Sequence, residues 1–202
     1  DARVVGVAAG RDRIESVYEL LDGKVQLVTT VTLDESSPES HWSVRVENHS
    51  ALEVLAVRFP RLARVKVGGR STDDVLAWGH IGGEMITTPA SRGEWRLSYP
   101  GRASVPFLDL FDDAGGFYFA AYDPELFAMD LEVAPCRDRD YVNLSMQKRH
   151  RLRSGEVRSW EFAAAPHAGS WHWGADRYRE FFQASFGKSE YPRWLRECDG
   201  WI

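Results

Sequence analysis

The chain has 202 residues, 44% of them hydrophobic and 27% charged, and a formal net charge of −5 at pH 7. This composition provides for a sizeable hydrophobic core and is typical of a globular domain. The basic residues are dispersed, which argues against a nucleic-acid partner, and no apolar run reaches the roughly 20 residues that span a bilayer, which argues against a membrane partner.

The first part of the chain alternates apolar and polar side chains with a period of two. Lys24–Leu33 shows this pattern and follows Asp22-Gly23, a pair that favours a tight turn because both positions adopt positive φ. Ile14–Leu21 is therefore predicted to be the hairpin partner of this strand. Further along, Leu52–Phe59 is predicted to be a strand that Pro60 terminates.

The alternation returns after residue 106. Phe107–Phe111 and Phe117–Ala121 flank Asp112–Gly116, which has the composition of a hairpin turn. Further strands are predicted at Phe127–Val133, Tyr141–Met146 and Val157–Ala163. Short strands at this spacing, joined by Gly, Asp and Asn turns, predict a mainly β fold, an antiparallel β-sandwich.

The alternation breaks down between Gly68 and Pro106. Within this stretch, Asp73–Arg102 is rich in glycine and holds polar groups beside Trp78, so we predict a long irregular segment. Long irregular connections are commonly functional or interface loops. The sequence leaves open whether this segment contacts a ligand or simply closes one end of the sandwich.

One amphipathic helix is predicted near the end of the chain, over roughly Gly174–Phe186. Tyr178 and Phe182 lie on its apolar face and are predicted to be buried against the sandwich. The predicted division is a sandwich domain at 1–168, then the helix and a connecting segment at 169–202. Because the chain stops on two large apolar residues after a turn signal, we expect a further domain downstream.

Catalytic and metal-binding motifs are absent from the sequence. It has no nucleophile elbow, phosphate-binding glycine loop or paired-histidine metal motif. Cys136 and Cys198 lack metal-ligand spacing, and both a disulfide and two free thiols are compatible with them, so the compartment stays open. We predict no catalytic residue, no metal and no cofactor for this chain.

Carboxylates are nevertheless plentiful enough to supply an acid/base pair of the glycosidase type. The candidates are Asp73, Asp74, Glu84, Asp109, Asp112, Asp113 and Asp123. Asp112, Asp113 and Asp123 are interpreted as turn formers, and Asp109 as a strand residue on a polar face. Glu84 with His80 could supply an acid/base pair, but their spacing alone is a weak signal.

Carbohydrate contact is the ligand hypothesis that the irregular segment supports. Sugars present C–H faces that stack on aromatic rings, and their hydroxyls need polar partners. The segment holds both kinds of side chain, and the candidate substrate-binding residues are Trp78, His80, Glu84, Tyr99 and Arg102. The competing interpretation is that its tryptophans fill the sandwich or a domain interface.

Several strings in the sequence resemble a known family when taken in order. They are Trp42–Asn48, Val57–Pro60, Asp73–Leu76, Gly82–Glu84, Leu97–Ser104, Leu110–Tyr118, Tyr122–Pro124 and Trp171–Arg179. Together they resemble the N-terminal β-sandwich region of a poorly characterised bacterial family of glycoside-hydrolase-like proteins, over nearly the whole chain from about Trp42 to Trp201. In that family the sandwich is similar to galactose-mutarotase-like supersandwiches, and a (β/α)8 barrel follows it.

The resemblance implies a function without implying a catalytic residue. Barrel hydrolases carry their catalytic carboxylates at the C-terminal ends of the barrel strands, downstream of a domain such as this one. The expected role is a non-catalytic sandwich that supports a downstream catalytic domain of the same polypeptide and could lend a loop to its substrate site. The alternatives are a self-sufficient sugar epimerase or mutarotase-like enzyme, and a carbohydrate-binding module. The scarcity of paired histidines argues against the epimerase.

Overall fold

The computed structural model describes residues 2–187. Its strands are β1 (Arg3–Ala9), β2 (Arg13–Leu20), β3 (Val25–Leu33), β4 (Ser40–Asn48), β5 (Val57–Val65), β6 (Val75–His80), β7 (Glu84–Thr87), β8 (Trp95–Tyr99), β9 (Ala103–Asp112), β10 (Gly115–Ala121), β11 (Met129–Pro135), β12 (Val142–Lys148) and β13 (Val157–His167). A short 3-10 turn covers Pro89–Ser91, and the helix α1 covers His172–Phe186. None of the described helices is long and apolar enough to cross a membrane.

The strands form two antiparallel sheets, which confirms the predicted fold class. The large sheet has nine strands in the order β1-β2-β3-β4-β13-β10-β9-β6-β7, and the small sheet has four in the order β5-β12-β11-β8. The main core lies between them: Leu108 and Phe119 of the large sheet belong to the same buried cluster as Leu131 and Leu144 of the small sheet. The described chain is therefore a β-sandwich with one C-terminal helix.

The central strands of the large sheet are buried on both faces. Leu108 and Leu110 of β9 belong to the core between the sheets, whereas Phe107, on the opposite face, packs with Tyr178 of α1. Small residues let the helix come close to this outer face. A Cβ added at Gly174 would lie 2.7 Å from the Tyr118 ring, so only glycine permits the observed approach.

Of the two helix residues that were predicted to be buried, the structure confirms one and contradicts the other. The helix begins two residues earlier than predicted, at His172, and Tyr178 is 5% exposed against the sheet. Phe182 is 40% exposed, so the prediction that it is buried was wrong. The helix packs on the central strands through its N-terminal half, and Phe182 lies one turn further on, where it lines a cleft.

The predicted irregular segment is more regular than its sequence indicates. It contains the β6–β7 hairpin at the edge of the large sheet, and β8 of the small sheet. Four consecutive residues of β6, Leu76 to Gly79, are buried, so the strand has no polar face and no visible alternation.

The predicted strand before Pro60 was also misplaced. β5 runs from Val57 to Val65 straight through this proline, and Val54 makes only an isolated bridge with Leu152. A proline cannot donate a hydrogen bond to a neighbouring strand, but β5 lies at the edge of the small sheet, where one side needs no partner.

The predicted division at residue 168 stays a prediction. Most of the expected connecting segment, residues 188–202 with Cys198, lies outside the described residues.

Candidate functional site

A cleft of about 740 Å³ lies between the β6–β7 hairpin and α1. Trp78 and Glu84 line it from the hairpin, and Tyr178 and Phe182 line it from the helix. Tyr99, at the end of β8, also lines it and brings the small sheet to the same site. The cleft therefore collects side chains from three elements that are distant in the sequence.

Glu84 is held at the rim of this cleft by two side chains. Its Oε2 accepts a hydrogen bond from Trp78 Nε1 at 3.1 Å and lies 2.9 Å from His80 Nδ1. The hairpin register produces this arrangement, because Trp78 and Glu84 are paired opposite each other on β6 and β7. Glu84 keeps 44% of its side chain exposed, so a carboxylate oxygen remains available to a ligand.

The turn that joins the two strands depends on its backbone conformation. Gly83 has φ +105° and its N–H donates to the carbonyl of His80 at 2.9 Å. Ile81 has φ +54°, and its N–H donates to the carbonyl of Arg102 at 2.7 Å. These two hydrogen bonds hold the turn in place, and the turn sets the positions of His80 and Glu84.

The structure brings together most of the candidate substrate-binding residues. Trp78, Glu84 and Tyr99 line the cleft, and His80 orients Glu84 from outside it. Arg102 is exposed and does not line the cleft; only its carbonyl contributes, to the hairpin turn.

The contribution of α1 to this site was not predicted from the sequence. Arg179 and Gln183 place polar groups in the cleft, and Tyr178 is buried with a hydroxyl that has no hydrogen-bond partner within the described chain. Burial raises the pKa of both Tyr99 and Tyr178, so each hydroxyl keeps its proton and can donate a hydrogen bond. The helical spacing of the apolar residues predicts that Tyr178 faces the sheet. It does not predict that the helix ends beside the β6–β7 hairpin.

A second polar site lies under the start of α1. The side chains of Asp109 and His167 are both completely buried, with His167 Nε2 3.0 Å from Asp109 Oδ2. The His167 ring stacks on Trp173 at 4.8 Å between ring centroids. Burial raises the pKa of Asp109 to about 6, although the neighbouring His167 opposes this shift. The interpretation of Asp109 as a residue on a polar face was therefore wrong.

The arrangement of this pair is structural rather than catalytic. A Cβ added at Gly174 would lie 2.4 Å from Asp109 Oδ2, so the helix backbone closes directly over the carboxylate. A catalytic acid or base needs access to its substrate.

Among the described residues, one group of three could hold a metal ion: Asp73, Asp74 and Asp112, at the opposite end of β6 from His80.

The sequence matches no protein-family model, and it has no significant match among curated protein sequences. Solved structures, in contrast, are similar to most of the chain. A GH36 alpha-galactosidase, AgaB, from Geobacillus stearothermophilus matches with a TM-score of 0.58 at 15% identity, over 91% of this chain and 30% of its own. The alpha-N-acetylgalactosaminidase NagBb from Bifidobacterium bifidum, in complex with Gal-NHAc-DNJ, matches with a TM-score of 0.64 at 14% identity, over 92% of this chain and 31% of its own.

The sandwich shares its fold with part of each of these solved structures. It spans about 30% of the length of the solved chains that it matches. The resemblance inferred from the sequence is thus confirmed at the level of the fold. At this low identity, the likeness carries no information about individual binding residues.

Proposed function

We propose that this chain is the non-catalytic sandwich domain of a glycoside-hydrolase-like protein, and that it supports a catalytic domain of the same polypeptide. One observation carries the proposal: glycoside hydrolases cover 91% of this chain, but the chain covers only 30% of theirs. A fold shared with enzymes over so small a fraction of their length fits an accessory role better than a catalytic one.

The sequence that follows Ile202 in the encoding gene tests this proposal. We expect strand–helix alternation there, with strands of four to eight apolar residues followed by amphipathic helices, as in a (β/α)8 barrel. A stop codon directly after Ile202, or a continuation without this alternation, would refute the proposed architecture.

We further propose that the cleft contacts carbohydrate, either bound by the sandwich itself or at the rim of the neighbouring domain. The volume of about 740 Å³ falls in the range of small-molecule sites. The aromatic rings of Trp78, Tyr99 and Tyr178 offer apolar surface for sugar C–H groups. Glu84, Arg179 and Gln183 offer polar groups that can form hydrogen bonds with sugar hydroxyls.

The comparisons do not favour a self-sufficient epimerase. Such an enzyme needs an acid and a base placed on separate sides of the sugar, because one group removes a proton while the other delivers one. His80 and Glu84 instead contact each other at 2.9 Å on one side of the cleft. Among the described residues that line the cleft, Glu84 is the sole carboxylate and there is no histidine.

An activity assay distinguishes the non-catalytic domain from the epimerase. We expect the purified 202-residue chain to show no hydrolysis of aryl α-galactosides and no mutarotation of free aldoses. Robust turnover that is abolished by Glu84→Gln or His80→Ala would favour the epimerase instead. Arg102→Ala, which changes an exposed side chain outside the cleft, is the matched control.

A further inference from the structure

Three carboxylates converge where β6 begins and β9 ends. Asp73 and Asp74 directly precede β6, and Asp112 is the last residue of β9. These strands are antiparallel, with Val75 paired to Phe111, so the register brings Asp74 beside Asp112. One carboxylate oxygen from each of the three residues lies within 4.8 Å of the others. Like charges this close repel, so the arrangement needs a compensating interaction.

The contacts within the described chain leave one oxygen of Asp74 without a partner. The residue is 2% exposed, and its buried Oδ1 has no hydrogen-bond partner within the described chain. A buried carboxylate oxygen without a partner is costly, because its hydration is lost and not replaced.

The neighbouring basic residues are already engaged. Arg70 contacts Asp73 at 3.1 Å from the exposed side, and Lys66 contacts Asp140 at 3.0 Å. Asp112 uses Oδ1 to accept hydrogen bonds from the Ala114 and Gly115 N–H groups at 2.7 and 3.2 Å. Its Oδ2 makes no hydrogen bond to the described residues and stays available.

The backbone closes around the same carboxylates. A Cβ added at Gly68, which has φ +58°, would lie 2.4 Å from Asp112 Oδ2, so the loop before β6 passes directly over this oxygen. Of the three carboxylates, Asp74 is buried, Asp112 lies against this loop, and Asp73 is exposed.

We propose that Asp73, Asp74 and Asp112 bind a divalent cation, with Ca²⁺ preferred over Mg²⁺. Carboxylate oxygens are the ligands that both ions favour. Mg²⁺ keeps several of its waters and is usually held by one or two carboxylates, whereas Ca²⁺ takes more oxygen ligands in a flexible geometry, so a group of three carboxylates favours Ca²⁺. Bound there, the cation ties the loop before β6 to the end of β9 and pairs the orphaned Asp74 oxygen. The inference is independent of the proposed function.

The test is thermal unfolding of the 202-residue chain, stripped with EDTA and then titrated with CaCl₂ at pH 7.5 and constant ionic strength. We expect a saturable rise in Tm of about 5–10 °C at a calcium concentration one hundred times the dissociation constant. MgCl₂ at the same concentration should give a smaller rise. Calorimetric titration should give one calcium ion per chain.

Two substitutions and one control make the test specific. Asp74→Asn and Asp112→Asn should each abolish most of the calcium-dependent rise, and the asparagine at 112 keeps an oxygen for the turn N–H groups. Asp113→Asn removes the same charge one residue away, on an exposed side chain outside the cluster, and should keep the full rise.

The proposal is overturned if the wild-type chain shows no calcium-dependent rise, a result that does not depend on whether the variants fold. It is equally overturned if Asp74→Asn and Asp112→Asn retain the rise. A rise with MgCl₂ as large as that with CaCl₂ overturns the calcium preference.

Discussion

Asp109 and His167 meet in a completely buried contact, with His167 Nε2 3.0 Å from Asp109 Oδ2, although 58 residues separate them in the sequence. The pair lies between the large sheet and the first turn of α1, where Gly174 passes over the carboxylate. The helix that lines one wall of the cleft thus covers this pair, and its Trp173 stacks on the His167 ring.

This buried pair makes the stability of the fold dependent on pH. Burial raises the pKa of Asp109 from 3.8 to about 6, so between these values the folded state holds a proton that the unfolded state releases. The stabilisation is complete below pH 4 and is lost as the pH rises through 6. We expect Asp109→Asn to remove this component, up to about 3 kcal/mol, which urea unfolding across pH 4–7 would measure.

The control for this experiment is Asp113→Asn, which changes an exposed carboxylate on the adjacent turn. Its unfolding free energy should follow the wild-type pH dependence. A wild-type slope that survives in Asp109→Asn would show that other groups produce it.

Gly174 is predicted to be the residue of α1 that tolerates substitution least. An alanine Cβ there would lie 2.4 Å from Asp109 Oδ2 and 2.7 Å from the Tyr118 ring, so the helix would have to move away from the sheet. Gly174→Ala should therefore destabilise by about 1–3 kcal/mol, although alanine is the better helix former. Gly93→Ala, with no atom within 4 Å of the added Cβ, should stay close to wild type in the same denaturation assay.

The two aromatic residues of the helix should differ in their effect on stability. Tyr178 is 5% exposed and Phe182 is 40% exposed. Tyr178→Ala should cost about 3–5 kcal/mol, as for a buried aromatic side chain, whereas Phe182→Ala should cost only about 1 kcal/mol. Equal losses in chemical denaturation would contradict the described placement of α1.

The secondary structure was predictable where a strand has one polar face, or where a strong turn signal separates two strands. The β9–β10 hairpin was predicted because Asp112–Gly116 separates two apolar runs, and the structure pairs Gly115 with Asp112. The strand β6 was not predicted, because its burial on both faces leaves its sequence without alternation of apolar and polar residues. The cleft was partly predictable, since Trp78 and Glu84 lie only six residues apart.

Contacts between residues that are far apart in the sequence could not be predicted from the sequence. Asp109 and His167 are joined by the sheet register and by the docking of α1, neither of which the residue types reveal. Asp112 was predicted to form a turn, and its side chain does accept a hydrogen bond within the turn. Its position beside Asp74 could not be predicted, because it results from the pairing of β6 with β9.

Tyr178→Phe tests the cost of the buried hydroxyl beside the cleft. The substitution removes a hydroxyl that has no partner within the described chain and keeps the ring. The variant should be as stable as wild type or more stable in urea denaturation, because a buried hydroxyl without a hydrogen bond is costly. A clear loss of stability would show that the hydroxyl has a hydrogen-bond partner.

We proposed above that the sandwich supports catalysis carried out elsewhere in its polypeptide. The most direct measurement compares glycosidase activity of the complete gene product with that of the 202-residue chain, on the same aryl α-galactosides and at equal molar concentration. We predict turnover by the complete product and none by the chain. Equal turnover by both would contradict the account, because it would place the catalytic groups within the sandwich.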